Sequence, residues 1–169
     1  TKVINNIPKI KIILYNFEKL SGFKFKPDFV KKLVSSYPKN IIGCKDSTYN
    51  LYDKIKIKDF LMFPGDESKL LQGLEIGCSG CISAIANVTH KLAREVFDDF
   101  QKNRPQKFNE KLINVRHTFD KYNLISGLHS YMSLQNSKFK NLLPPLTLLN
   151  SNDQKDLLKK LESLKFNLN

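Results

Sequence analysis

The sequence predicts an α/β fold built on a parallel sheet. Three observations carry that expectation. Apolar runs of strand length alternate with amphipathic segments, four times before Pro105. Two of those runs end in polar residues, Tyr15-Asn16 and Lys45-Asp46. After Pro105 the alternation stops, and the remaining segments have helical spacing. Buried strands that deliver polar residues at their C-terminal ends are how a (β/α) barrel assembles an active site.

The elements follow in order. Residues 9–15 come after Pro8 and read as a strand. Ser21-Gly22 turns the chain. Pro27 suits the first position of a helix, where its missing N–H removes no bond. Phe29, Val30, Leu33, Val34 and Tyr37 then recur at helical spacing until Pro38. Residues 41–45 form the second strand, and residues 47–56 are expected to make a short helical crossover. Phe60-Leu61-Met62-Phe63 is the third strand, ended by Pro64-Gly65. Asp66 or Ser68 suits the cap of a helix carrying Leu70, Leu71 and Leu74, which Gly77 breaks. Residues 81–85 read as a fourth strand. Thr89 suits the cap of a long helix with Leu92, Ala93, Val96, Phe97 and Phe100 on it. Three further helices are expected near residues 107–121, 124–137 and 151–165, the last with Leu157, Leu158, Leu161 and Leu164 on one face. Residues 1–104 thus form the strand–helix part and residues 105–169 a helical extension.

Strand alternation makes a sharper statement. If Lys45 faces the inside of a barrel, Gly43 and Ile41 do too, while Ile42 and Cys44 pack against helices. Tyr15 likewise takes Ile13 to the inside and leaves Leu14 outside. A lysine drawn out of water in such a place is more readily neutral, and a neutral amine attacks carbonyl carbon.

Composition narrows the rest. The chain has 169 residues, 41% of them hydrophobic, and no apolar run long enough to cross a membrane. No secretory signal is visible and the first residue is Thr1, so the chain is expected to begin inside something longer or to have been processed. Three cysteines, Cys44, Cys78 and Cys81, are too few for a disulfide framework, which points to a reducing compartment and hence the cytoplasm. The net charge of +12 raises the question of nucleic acid. Yet 25 lysines stand against three arginines, Arg94, Arg104 and Arg116. Bidentate phosphate and base recognition favours arginine, so neither nucleic acid nor membrane is expected as a partner. Cys78 and Cys81 have no second ligand pair, and His90, His117 and His129 lack partner spacing, so no metal site is expected.

At these residues the chain resembles the dihydrodipicolinate synthase / N-acetylneuraminate lyase family of class I aldolases. Tyr15-Asn16 with Ser21-Gly22 resembles the family's segment after the fifth barrel strand. Ile41-Ile42-Gly43-Cys44-Lys45-Asp46-Ser47 resembles the sixth-strand segment that carries its Schiff-base lysine. Pro64-Gly65-Asp66-Glu67 resembles the turn after strand seven. Gly77 to Gly80, Ile82-Ser83 and Ala86-Asn87-Val88 resemble strand eight and its loop. Pro144-Pro145-Leu146 and the closing helix resemble the C-terminal helical extension.

The resemblance implies the C-terminal half of a (β/α)8 TIM barrel, strands five to eight, followed by that extension. It implies that Lys45 forms an imine with pyruvate or a 2-keto acid, and that Tyr15 relays a proton at the bond cleaved or formed. A phenol titrates near 10, so Tyr15 needs its surroundings to do this at neutral pH. Ser47, Gly65, Asp66, Glu67 and Ile82 are implied to line the substrate, and no cofactor is implied. The implied partners are pyruvate, an aldehyde or 2-keto acid, the missing N-terminal half of the barrel, and further copies in a homotetramer.

Three departures matter. Glu18 stands where the family usually has proline. Leu20 stands where genuine dihydrodipicolinate synthases place an arginine for the second substrate's carboxylate. Ala84 falls near where sialate lyases carry a hydroxyl. Leu20 therefore turns the expectation toward a 2-keto-3-deoxy sugar acid as substrate. The alternatives are 4-hydroxy-tetrahydrodipicolinate synthase, N-acetylneuraminate lyase, or an inactive scaffold or oligomerisation fragment. A whole barrel takes about 250 residues. A half barrel exposes two strand edges, so the isolated chain is expected to aggregate, dimerise or depend on a partner half.

Overall fold

Apolar runs become strands where the sequence places them: β1 (Ile12–Asn16), β2 (Ile41–Asp46) and β3 (Leu61–Pro64). The computed structural model describes residues 2–167. The strands pair in parallel, in the order β1-β2-β3. Ile13, Gly43 and Leu61 lie side by side, and one pleat further on lie Tyr15, Lys45 and Phe63. Gly43 is needed for that approach, because a Cβ there would come within 2.5 Å of the Leu61 carbonyl oxygen.

The chain forms two compact units, Thr1–Ile82 and Ser83–Asn169. In the first, α1 (Lys2–Asn6) precedes β1, and the one-turn helix α2 (Glu18–Ser21) ends at Gly22 in the left-handed conformation (φ 67°). Neither helix is expected from the sequence. Helix α3 (Pro27–Ser36) opens on Pro27 as expected. Asp66 caps a 3-10 turn, Glu67–Lys69, which runs into α4 (Leu70–Glu75). The core of this unit is Val30, Cys44, Leu51, Ile55, Met62 and Cys78, with Leu14 and Val34 packed against it. Cys44 and Leu14 thus turn toward the helices, as alternation requires.

In the second unit, α5 (Ala86–Gln101), α6 (Asn109–Phe119), α7 (Leu124–Met132) and α8 (Ser151–Ser163) pack around one core. Ile85, Val88, Val115, Phe119, Leu128, Tyr131, Leu157, Leu161 and Phe166 form it. Leu158 and Leu164 pack against it, so the leucine face of the last helix is used as its spacing predicts. A 3-10 turn, Ser137–Lys140, lies between α7 and α8, and the Pro144–Pro145 peptide in the connector is cis.

Three expectations fail, each for a local reason. Residues 47–56 are turns, not a helix. The Asp46 carboxylate takes the amide hydrogens of the segment, and Tyr49 adopts φ 58°, which breaks a helical run. Residues 81–85 do not form a fourth strand. The chain runs beside β3 through two bonds, Ser79 N–H to Met62 O (2.8 Å) and Ile82 N–H to Pro64 O (3.1 Å). Gly77 (φ 95°) and Gly80 (φ 144°) depart from the pleat, so no ladder follows. Thr89 lies inside α5, not at its cap, and its hydroxyl donates to the Ile85 carbonyl (3.0 Å).

Candidate functional site

The C-terminal ends of β1 and β2 bring Tyr15 and Lys45 together. The two residues are register partners. The Lys45 Nζ lies 4.2 Å from the centroid of the Tyr15 ring. Both lie on the sheet face opposite the helices. That face is open along β1 and β3, where Ile13 is 40% exposed, Tyr15 48% and Leu61 39%, while Ile41 and Gly43 on central β2 are buried; Cys44 and Met62 on the other face are buried. Lys45 itself is half-buried.

One residue beyond the pair, the strands are locked by a buried polar hub. Asn16 and Asp46 are both fully buried, and Asn16 Nδ2 donates to Asp46 Oδ1 (2.7 Å). The same carboxylate accepts backbone N–H bonds from Thr48 (3.2 Å), Tyr49 (3.0 Å), Leu51 (2.7 Å) and Tyr52 (3.0 Å). Asn16 Nδ2 also reaches Asn50 Oδ1 (2.8 Å), and Asn16 Oδ1 accepts from Phe25 N–H (3.0 Å). A buried carboxylate with its acceptor sites so fully used fixes the loops around it. The hub therefore holds the two strand ends in the register that sets Tyr15 over Lys45. In the sequence Asn16 and Asp46 are strand ends with no role implied. Their signal was two short polar residues, each directly after a candidate catalytic side chain.

The other residues expected at the site take different positions. Ser47 N–H donates to the Asn16 carbonyl (2.9 Å), and Gly65 N–H to the Asp46 carbonyl (3.0 Å). A Cβ on Gly65 would sit 2.1 Å from the Ser47 hydroxyl, so glycine lets the loops after β2 and β3 meet. Asp66 is engaged within its own chain: Oδ1 accepts from Ser68 N–H (2.7 Å) and the Ser68 hydroxyl (2.5 Å), and Oδ2 from the Tyr49 hydroxyl (2.8 Å). Glu67 is fully buried in the 3-10 turn. Ile82 is 37% exposed, with its amide held by β3.

Two cysteines lie behind the sheet. Burial, with the Asp46 carboxylate adding to it, pushes the Cys44 thiol up to about 12, and burial pushes Cys78 up to about 11. Both are therefore packing residues, not nucleophiles at neutral pH. Among the described residues no group of three or more His, Cys, Asp or Glu side chains could hold a metal ion. No helix among them is long and apolar enough to cross a membrane.

A parallel α/β unit with a lysine and a tyrosine side by side at its strand ends defines a class of site, an amine and a phenol presented at a sheet mouth. The chain belongs to the dihydrodipicolinate synthetase family, whose model matches residues 1–164. It is 30% identical over 167 residues to the 4-hydroxy-tetrahydrodipicolinate synthase of Methanothrix thermoacetophila, covering 92% of this chain and 56% of that protein. It is 40% identical over 92 residues to the protein of the same name from Wigglesworthia glossinidia brevipalpis, covering 52% of this chain and 30% of that one. Two solved structures show the same fold. The dihydrodipicolinate synthase of Cyanidioschyzon merolae with lysine bound has a TM-score of 0.86 at 17% identity, over 96% of this chain and 57% of that one. YagE, a prophage protein of E. coli K12 in complex with pyruvate, has a TM-score of 0.82 at 21% identity, over 98% and 59%. The fold is thus the α/β fold of the dihydrodipicolinate synthase TIM-barrel structures. The chain spans little more than half of each of these two structures and of the Methanothrix protein.

Proposed function

We propose that this chain is the C-terminal, nucleophile-bearing half of a Schiff-base lyase that makes or breaks a carbon–carbon bond to pyruvate. The observation that carries the reading is the Lys45–Tyr15 pair, 4.2 Å from amine to ring centroid on the open face of the sheet. Lys45 adds to the keto carbon of pyruvate and water leaves, giving a protonated imine. Loss of a methyl proton gives an enamine, which attacks the carbonyl carbon of an aldehyde. Tyr15 hands a proton to the oxygen formed there, and hydrolysis frees Lys45. The open face of β1, β2 and β3 takes the N-terminal half of the barrel, which supplies the remaining strands and the groups that hold the pyruvate carboxylate. The assembled protein is read as a cytoplasmic homotetramer.

The relatives named above favour 4-hydroxy-tetrahydrodipicolinate synthase over a sugar-acid aldolase. The second reading, a 2-keto-3-deoxy sugar acid, keeps one support in Leu20, which stands 75% exposed in α2 in place of the expected arginine. The test is reduction with borohydride in the presence of pyruvate, with the N-terminal part of the Methanothrix relative supplied, followed by peptide mass mapping. A pyruvyl adduct on Lys45, lost in Lys45→Ala, is expected. No adduct in the wild-type assembly would sink the proposal.

A further inference from the structure

Tyr49 is held at φ 58°, a backbone conformation that glycine and asparagine adopt readily and a bulky residue does not. Strain of that kind persists where the surroundings fix it, and it clusters at ligand-facing loops. Here the surroundings are identifiable. The Tyr49 amide is bound to the buried Asp46 carboxylate (3.0 Å), so the backbone cannot relax. The conformation aims the side chain across to the next loop, where its hydroxyl donates to Asp66 Oδ2 (2.8 Å). Tyr52 meets the same ring edge-on, with centroids 6.2 Å apart.

Asp66 follows the end of β3 by two residues, on the rim where Tyr15 and Lys45 also emerge. A half-buried carboxylate at such a rim is an acceptor for hydroxyl groups of a bound molecule. An ionised carboxylate has about four acceptor positions. At least three are taken from within the chain, by Ser68 N–H, the Ser68 hydroxyl and the Tyr49 hydroxyl. The loop after β2 has thus drawn the carboxylate of the loop after β3 into an internal bond.

We infer that Tyr49 is a specificity-determining residue that withholds Asp66 from the hydroxyl groups of the aldehyde substrate. The aldehyde class that suits the mouth is then one without a polyol chain. This rests on the lyase reading and deepens it, since it separates acceptors by their hydroxyl content. Tyr49 acts on the choice of aldehyde and not on the imine, which forms at Lys45.

The experiment uses this chain assembled with the N-terminal part of the Methanothrix relative. The readout is the ratio of kcat/KM for D-glyceraldehyde to that for propanal, with pyruvate as the common partner. Tyr49→Phe keeps the ring and removes the Tyr49 bond to the carboxylate, and should raise the ratio about tenfold, the worth of one hydrogen bond to a charged group. Ser68→Ala removes the hydroxyl bond to the other oxygen, leaving the Ser68 N–H in place, and should raise the ratio in the same direction by less, should the first variant fold poorly. Adding Asp66→Asn to Tyr49→Phe should return the ratio toward the wild-type value. A ratio unmoved in both single variants, while pyruvate still labels Lys45, overturns the role of Tyr49 and leaves the lyase reading intact. Absence of the Lys45 adduct in the wild-type assembly overturns both.

Discussion

The two units of this chain are stabilised in opposite ways. In Ser83–Asn169 four helices enclose nine buried apolar or aromatic residues, from Ile85 to Phe166. Every helix longer than two turns there spends its apolar face on that shared core. In Thr1–Ile82 the sheet has one covered face and one open face, and its strand ends are tied by a carboxylate. The helical unit rests on one shared apolar core, with small polar residues such as Thr118, Ser126 and Ser130 buried in the same unit. The strand unit has an open face and depends on a few polar bonds at the strand ends that carry Tyr15 and Lys45. On the proposed reading the difference has one source: the face bearing Tyr15 and Lys45 is left for the N-terminal half of the barrel, so the chain's own helices do not pack it.

Removing the polar tie should have the largest effect. Asp46→Ala leaves Asn16 Nδ2 and four backbone N–H groups without their acceptor in a buried place. At about 1–3 kcal/mol for each unsatisfied group, and with water recovering some of them, a loss on the order of 4 kcal/mol is expected. Urea unfolding followed by tyrosine fluorescence would measure it. A loss below about 1 kcal/mol would remove Asp46 as the organiser of the strand ends. In the helical unit, Leu157→Ala opens a cavity in the closed core at a fully buried site and should cost about 2–5 kcal/mol. Hydrogen exchange would assign each loss. Asp46→Ala should raise exchange in residues 41–52 first, and Leu157→Ala in α7 and α8.

The strand unit should also lose stability in alkali, through its buried thiols. Cys44, Cys78 and Cys81 all lie before Ser83. Cys44 is raised in the folded state from its ordinary value of 9.0 to about 12. Below about pH 9 the thiol is protonated in both states and the stability is complete. As pH rises toward 12 only the unfolded chain releases the proton, so stability falls, by up to about 1.4 kcal/mol per pH unit. Cys44→Ala should flatten that slope in unfolding measured between pH 8 and pH 11. An unchanged slope would place the alkaline loss elsewhere.

Much of this contrast is legible in the sequence because it depends on local pattern. Period-two alternation assigned Cys44 and Leu14 to the covered side and Tyr15 and Lys45 to the other, and the leucine spacing of residues 157–164 marked the helical core. What escaped depends on groups meeting across loops. No local pattern says that one carboxylate at Asp46 will take the amides of residues 48, 49, 51 and 52, and so turn a helix-like stretch into turns. Nor does it say that Tyr49 will meet Asp66, because the register of β2 against β3 decides that. The apolar content of residues 81–85 resembled a strand. The glycines at 77 and 80 carried the contrary signal, readable only once their positive φ angles are seen.

The smallest effect is the sharpest test of the open face. Met62 and Leu61 are neighbours on β3 with opposite surroundings: Met62 is 4% exposed in the core of its unit, and Leu61 is 39% exposed on the open side. Met62→Ala should cost about 2–3 kcal/mol, as a buried truncation does. Leu61→Ala removes a side chain of similar size and should stay within about 0.5 kcal/mol. The asymmetry holds only while nothing covers the open face. If the chain pairs with itself there, Leu61→Ala gains a cost that grows with protein concentration, because association stabilises by mass action. Supplying the N-terminal half of a relative should have the same effect at a fixed concentration, bringing the cost of Leu61→Ala up toward that of Met62→Ala. If the cost of Leu61→Ala stays near zero with the half supplied, that half does not dock on the face bearing Lys45, and the assembly of the site fails with it.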